Sequence, residues 1–210
     1  MLELLWPTVC AGCDALHRGR LCRRCLAVAR PPVEVAVPGV AEILALAPYA
    51  SPVGRALQIA KYRPDRRLML RLGERLAEAL ADDLAARRLD LVVPAPSHWR
   101  TRASRGFASA AVLSRAISRR TGLPVRHALT ARRGARQAAL AGAARRANLR
   151  GRIRCRRPAP GRVLLVDDVL TTGATLDACA RELLGDTTEH VVACVLCVAE
   201  APGATSVKES

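Results

Sequence analysis

The chain has 210 residues, half of them apolar, and a formal net charge of +16. This length is enough to bury a hydrophobic core, and the apolar content excludes a disordered tail. No apolar run reaches the roughly 20 residues that a transmembrane helix needs. The start of the chain, MLELLWPTVC, lacks the basic region of a signal peptide, so we expect a cytoplasmic protein without a membrane span.

The first block, residues 1–30, is rich in cysteine and ends before two consecutive prolines. The pattern C-x2-C-x8-C-x2-C is formed by Cys10, Cys13, Cys22 and Cys25. Each CxxC turn can present two thiolates to one metal ion, and two such turns complete a tetrahedral zinc site. Because so short a segment cannot be held by core burial, a structural Zn²⁺ would supply its folding energy. Four unrelated buried thiols or a redox CxxC are the alternatives.

The second block, from about residue 33 to residue 88, contains an apolar stretch, VAEILALAPY, followed by a long helical pattern. Leucines recur at four-residue steps, at Leu68, Leu72, Leu76, Leu80 and Leu84. This spacing predicts one amphipathic helix with a single apolar stripe.

The third block, residues 89–200, alternates between strand and helix patterns. LDLVVP, RVLLV and HVVACVLCVA predict strands, and LPV is a candidate for the start of another. FASAAVLSRAISRRTG predicts a helix that ends at Gly122, and ATLDACARELLG predicts a second helix. Residues 131–160 have no clear period and predict a long loop. The alternation predicts an α/β fold, a parallel sheet covered by helices, with a small N-terminal zinc module at 1–30, a main domain at 33–200 and a tail at 201–210.

Positive charge is concentrated in the middle of the chain. Residues 91–166 contain 18 arginines and no lysine, aspartate or glutamate. Such a segment should attract polyanions, either nucleic acid or a phosphate-rich small ligand. A genomic bias toward arginine is the alternative, although it does not explain the missing acids.

Residues 163–175 read VLLVDDVLTTGAT. Asp167 and Asp168 fall where the predicted RVLLV strand ends, and ligands of an open parallel sheet bind beyond the carboxyl ends of its strands. Carboxylates accept hydrogen bonds from ribose hydroxyls and also suit a hydrated Mg²⁺. The residues that follow predict a phosphate cradle at a helix start: Thr171, Thr172, Gly173, Ala174 and Thr175. Together these features describe a ribose 5-phosphate site.

These 13 residues closely resemble the phosphoribosyl pyrophosphate (PRPP) motif of type I phosphoribosyltransferases. The resemblance implies that Asp167 and Asp168 hold the ribose hydroxyls of PRPP, bound with Mg²⁺, and that Thr171–Thr175 wraps its 5-phosphate. Thr171 stands where enzymes acting on 6-oxopurines have an acid, which argues against that substrate class.

The order of motifs along nearly the whole chain resembles the ComF family, which includes competence proteins of DNA uptake and the GntX proteins. The motifs are the four-cysteine segment, KYR at 61–63, VVPAPSHWRTRASRGF at 92–107, Gln137, RRANLRG at 145–151 and the PRPP motif. This resemblance implies a type I phosphoribosyltransferase fold with a zinc module, acting on incoming single-stranded DNA beside a helicase partner. The chain departs from the family at Ser104, Ala108 and Ser109, where the family has Glu, Asn and Gln.

By the same resemblance, residues 94–102 form a pyrophosphate-binding loop and residues 132–152 a flexible loop that closes over the site. The arginines expected to meet pyrophosphate or to lie on the closing loop are Arg100, Arg102, Arg105, Arg132, Arg133, Arg136, Arg145 and Arg146. Guanidinium groups suit phosphate because they direct two donors toward two oxygens. A solvated surface role is the alternative for each of them.

Three functions follow from these observations. The first is an enzyme that transfers the phosphoribosyl group of PRPP to an acceptor that the sequence does not identify. The second is a PRPP-binding module for DNA uptake that contacts single-stranded DNA. The third is a zinc-ribbon transcription factor, which leaves the PRPP motif unexplained. The motif favours the first and the acid-free segment favours the second, and the two are compatible.

Overall fold

The computed structural model describes residues 8–17, 19–97, 106–131, 151–185 and 187–199. Its helices are α1 Arg23–Leu26, α2 Pro52–Tyr62, α3 Arg66–Ala79, α4 Ala81–Ala85, α5 Ser109–Thr121 and α6 Ala174–Leu183. Its strands are β1 Thr8–Val9, β2 Leu16–His17, β3 Glu42–Pro48, β4 Leu91–Pro94, β5 Leu129–Ala131, β6 Ile153–Cys155, β7 Gly161–Leu170 and β8 Thr188–Val198.

Four parallel strands form the central sheet in the order β3, β8, β7, β4. The strand β7 is buried on both sides and its residues alternate between two core clusters. Leu164 and Val166 belong to the cluster shared with α2, α3 and α5, whereas Val163 and Leu165 belong to the cluster shared with α6. This two-sided burial is why the strand is a continuous apolar run. The predicted α/β class, a parallel sheet covered by helices, is confirmed.

The helices on the first face begin at residues suited to that position. Ser51 caps α2, its side chain accepting a hydrogen bond from the Gly54 N–H at 3.2 Å, and Asp65 caps α3 by accepting from the Leu68 N–H at 3.0 Å. At the other end of α5, Gly122 takes φ +77°, a left-handed conformation that glycine adopts at low cost. This end agrees with the predicted stop.

The leucine stripe is buried as predicted, but it lies on two helices and not on one. All five leucines are at most 3% exposed. Leu80 leaves the helical conformation, with φ −109° and ψ 10°, so α3 ends at Ala79 and α4 begins at Ala81. The Leu80 N–H still donates to the Leu76 carbonyl, and the Leu84 N–H to the Leu80 carbonyl, so the chain bends without losing these bonds.

A candidate strand and the predicted long loop both contain strand pairing. Val125, in the candidate strand LPV, makes a single parallel bridge to Val92. Within the predicted long loop, β6 pairs antiparallel with β5. The two paired strands therefore flank residues 132–150, which lie outside the described residues.

The cysteine segment packs directly onto the helices of the first face. Asp14 forms an ion pair with Arg55 of α2 at 2.6 Å, and the Arg75 Nε of α3 donates to the Leu26 carbonyl at 2.9 Å. Cys10 and Cys25 belong to the same buried cluster as the helices beneath them. In the part of the chain that is described, no helix has the length and apolarity needed to cross a membrane.

Candidate functional site

The four cysteines of the N-terminal segment converge on one point. The Sγ atoms of Cys10 and Cys25 lie 3.8 Å apart, as do those of Cys13 and Cys22, and all four lie within 4.8 Å of one another. Tetrahedral zinc with Zn–S bonds of about 2.3 Å requires sulfur separations of about 3.8 Å. The donor set and its spacing therefore fit one metal ion such as zinc.

The backbone around this cluster favours a thiolate. The Gly12 and Cys22 N–H groups donate to the Cys10 Sγ at 3.4 and 3.3 Å. Burial opposes ionisation of Cys10, but these hydrogen bonds lower the pKa of its thiol to about 6. A Cβ on Gly12 would lie 2.8 Å from the Cys25 Sγ, so glycine at this position of the first CxxC turn lets Cys25 approach closely. We name residues 8–26 the cysteine knuckle.

The two aspartates of the PRPP-like motif lie within β7, which continues to Leu170 and does not end at Val166 as predicted. The strand continues because β8 pairs with it as far as Leu170, whereas β4 pairs with it only as far as Val166. Asp167 and Asp168 therefore lie beyond the end of β4, at the edge where the sheet opens. Their side chains alternate between the faces of the sheet, as strand geometry requires.

The two carboxyl groups have different surroundings. The Asp168 Oδ1 is 2.8 Å from the Lys61 Nζ of α2, and both side chains are less than 20% exposed. The Asp167 Oδ1 accepts a hydrogen bond from the Asp168 N–H at 2.8 Å. Burial and the neighbouring Asp168 charge raise the pKa of Asp167 to about 7, against the weaker effects of that hydrogen bond and of Lys61. The Asp167 carboxyl therefore exchanges its proton near neutral pH.

The segment after β7 turns sharply into α6. Gly173 is the N-cap residue of α6, with φ +73°, and makes no side-chain capping bond. The first N–H groups of the helix are thus left for another acceptor, and the helix dipole favours a negative one. A Cβ on Gly173 would lie 2.6 Å from the Val37 Cγ2, so glycine is required by both conformation and space. Thr171 and Thr172 are exposed beside this helix start.

The aspartates and the threonine segment line a common cavity of about 430 Å³. Its walls include Asp167, Asp168, Thr171, Thr175, Lys61, Tyr49, Ser97 and Phe107. A second cavity of about 820 Å³ shares Ser97 and Phe107 with the first, and Arg66 and Arg115 line it. The structure thus brings the carboxylates and two of the threonines together, next to a larger space with basic walls.

The arginines predicted to meet pyrophosphate or to lie on a closing loop all lie outside the described residues: Arg100, Arg102, Arg105, Arg132, Arg133, Arg136, Arg145 and Arg146. Two of the departures from the ComF pattern are described. Ala108 is the N-cap residue of α5 and makes no side-chain capping bond, a position that favours Asn. Ser109 is buried and lines the smaller cavity.

Lys61 is the main site residue whose role the sequence analysis did not identify. Its signals were the KYR motif at 61–63, to which no role was assigned, and the rarity of lysine in a chain with 34 basic residues. Tyr49 and Phe107 also line the cavity but carry no sequence signal beyond being aromatic.

No family model and no curated protein matches the sequence. Solved structures do show similarity. UMP synthase from Leishmania donovani is 18% identical with a TM-score of 0.38, over 70% of this chain and 24% of that one, so this chain spans about a quarter of its length. An HPRT carrying glutamic acid in place of an invariant aspartic acid is 18% identical with a TM-score of 0.32, over 61% of this chain and 77% of that one.

Proposed function

We propose that the chain is a PRPP-binding protein with a type I phosphoribosyltransferase fold of the ComF type. One observation carries this proposal: Asp167 and Asp168 share a cavity of about 430 Å³ with Thr171 and Thr175 at the start of α6. Carboxylates suit vicinal hydroxyls, and a helix N-terminus with free N–H groups suits a phosphate. Together these two features suit a sugar phosphate.

In this proposal, Asp167 and Asp168 accept hydrogen bonds from the ribose hydroxyls, and the residues from Thr171 to Thr175 hold the 5-phosphate. Carboxylate oxygens in a partly solvated cavity also fit Mg²⁺, which would neutralise the diphosphate of PRPP. The arginines of residues 98–105 and 132–150 are candidates for binding the diphosphate itself. The protein would then be a phosphoribosyltransferase, and its acceptor would enter through the larger adjoining cavity.

The proposal is tested by heat stabilisation with Mg-PRPP. A ligand that binds only the native state at 100 times its Kd stabilises it by about 2.7 kcal/mol. We expect wild-type protein to show such a shift and the double variant Asp167→Ala, Asp168→Ala to lose it. Wild-type protein without a shift at millimolar Mg-PRPP would overturn the proposal.

We further propose that the chain acts in DNA uptake, in the cytoplasm, where it binds single-stranded DNA beside a competence helicase. The acid-free span of 18 arginines supports this, because a single PRPP cannot occupy so many guanidinium groups. The proposed organisation is a zinc module at 1–30, a phosphoribosyltransferase domain at 33–200 and a tail at 201–210, with Zn²⁺ on the four cysteines.

Oligonucleotide binding at several salt concentrations tests the DNA role. Counterion release predicts a log–log slope of about −0.7 for each phosphate neutralised on a single strand. Replacing Arg132, Arg133, Arg145 and Arg146 together should weaken binding and flatten the slope. Affinity equal to that of an unrelated protein of the same net charge would leave arginine bias as the explanation.

A further inference from the structure

Lys61 occupies the candidate PRPP cavity although it comes from a distant part of the chain. It lies at the end of α2, more than 100 residues before the motif, and its Nζ is 2.8 Å from the Asp168 Oδ1. Its side chain is 16% exposed and lines the cavity together with Thr171 and Thr175. The ammonium group is therefore part of the site and not of the solvated surface.

The use of lysine instead of arginine at position 61 is informative. The chain uses arginine for ion pairs elsewhere, as in Arg55 with Asp14 and Arg181 with Asp177. At position 61 it has one of its two lysines. A guanidinium group is planar and presents a fixed fork of donors, whereas an ammonium group is a compact point charge with three donors. The cavity therefore holds the small cation that can contact a carboxylate and a ligand at the same time.

We infer that Lys61 binds the diphosphate at C1 of PRPP, an inference that rests on the proposed function. If Asp168 accepts from the C2 hydroxyl, a cation in contact with Asp168 can reach the diphosphate, because C1 carries the diphosphate next to C2. One N–H of the ammonium group serves Asp168, which leaves two for diphosphate oxygens. Asp168 thus orients Lys61 toward the leaving group.

This position also serves the transfer step. The bond from C1 to the diphosphate oxygen breaks, its electron pair stays on that oxygen, and the acceptor forms the new bond to C1 and releases its proton. Negative charge accordingly grows on the diphosphate beside Lys61. A fixed cation placed where charge develops stabilises the transition state more than the ground state.

The alternative role for Lys61 is to neutralise Asp168 and so to position the carboxylate for the ribose. The two roles are separated by ribose 5-phosphate, which shares the C2 and C3 hydroxyls and the 5-phosphate of PRPP but has a hydroxyl in place of the diphosphate at C1. The test measures binding of Mg-PRPP and of ribose 5-phosphate with Mg²⁺ by calorimetry, for wild-type protein, Lys61→Met and Lys61→Arg. Arg63→Met is the matched control, because it removes one positive charge from an exposed residue two positions along.

We expect Lys61→Met to weaken Mg-PRPP binding by at least about tenfold, the loss of a hydrogen bond to a charged group. Its affinity for ribose 5-phosphate should change by less than about twofold, Arg63→Met should resemble wild type for both ligands, and Lys61→Arg should recover part of the PRPP affinity. The unliganded melting temperature of each variant shows that it is folded.

Equal losses for both ligands in Lys61→Met would overturn the inference, since Lys61 would then act only through Asp168. Unchanged PRPP binding in that variant, or an equal loss in Arg63→Met, would overturn it as well. In all three cases wild-type binding leaves the proposed function standing. Wild-type protein that binds neither ligand would overturn the proposed function, and this inference with it.

Discussion

The cysteine knuckle and the cavity beside β7 both gather polar side chains, but they do so in opposite ways. In the knuckle, four sulfur atoms face one another at separations that match a complete metal coordination shell, and Cys10 and Cys25 are 0% and 2% exposed. Beside β7, two carboxylates, a lysine and a helix start surround about 430 Å³ of space. A closed set of ligands is typical of structural metal sites, and an open set is typical of sites that exchange a ligand.

The cysteine knuckle and the cavity also differ in how they pack against the hydrophobic core. The knuckle contributes Cys10, Leu21 and Cys25 to the buried cluster under α2 and α3. At the cavity, Phe107 and Tyr49 pack into the first cluster, but the charged groups of Asp167, Asp168 and Lys61 face the open space. Changes in the knuckle should therefore act on folding, whereas changes at the cavity should act on binding.

The largest expected effect is loss of a metal ligand in the knuckle. Cys22→Ser should lose about one equivalent of zinc and about 3 to 5 kcal/mol of stability, because metal binding there is coupled to folding. Elemental analysis and denaturant unfolding measure the two losses. Cys155→Ser removes a partly exposed thiol outside the cluster and is the control. Full zinc content in Cys22→Ser would contradict the assignment.

The next effect concerns space inside the knuckle. In Gly12→Ala the new Cβ would lie 2.8 Å from the Cys25 Sγ and 3.1 Å from the Pro52 Cβ. We expect weaker zinc retention against a chelator and a loss of about 2 kcal/mol, the cost of overpacking a filled site. Gly185→Ala, where a Cβ meets nothing within 4 Å, is the matched control. Equal zinc retention in both variants would show that the knuckle tolerates the added methyl group.

At the cavity, Gly173→Ala should act on the ligand more than on the fold. Its φ of +73° costs an alanine about 1 kcal/mol, and the contact with Val37 adds to this cost by shifting the start of α6. Gly122→Ala has a similar φ of +77° with nothing within 4 Å, so it isolates the conformational cost. Mg-PRPP should stabilise Gly122→Ala as it does wild type, and Gly173→Ala much less. A full ligand-induced shift in Gly173→Ala would place the phosphate elsewhere.

The last expected effect is a pH dependence of the ligand-free protein. The pKa of Asp167 is raised from 3.8 to about 7, so folding is disfavoured when this carboxyl is charged. Its contribution is fully present below the unfolded pKa and is lost as the pH rises through about 7. Asp167→Asn should therefore melt at a higher temperature than wild type above pH 7, with a difference that shrinks toward pH 4. A difference independent of pH would show that Asp167 is not protonated in the folded state.

The sequence predicts well those structural features that short-range residue patterns determine. The cysteine spacing, the leucine stripe and the strand–helix alternation each follow from local periodicity, and each corresponds to an element of the structure. Position 80 shows the limit, because nothing in a regular four-residue spacing signals that Leu80 leaves the helix. The extent of β7 also depends on pairing with β8, which a single strand pattern does not contain.

The residues of the candidate site also differ in whether a local sequence pattern predicts them. Asp167, Asp168 and the threonines lie close together in the chain, so a single sequence motif identifies all of them. Lys61 and Tyr49 reach the cavity only because β3 and α2 are folded against β8 and β7. Their contribution is a property of the topology, which the local pattern cannot supply.

The order of strands in the sheet also determines when during synthesis the protein can become complete. The strand β3 pairs with β8, whose residues follow it by about 150 positions, so its ladder forms only after almost the whole chain has been made. The cysteine knuckle needs only the first 26 residues for its hairpin and its two CxxC turns. Long-range parallel pairing is slow and leaves apolar strand edges exposed in the meantime. A nascent chain would thus contain the complete four-cysteine segment long before β3 could pair with β8, and we expect chaperones to act in this interval.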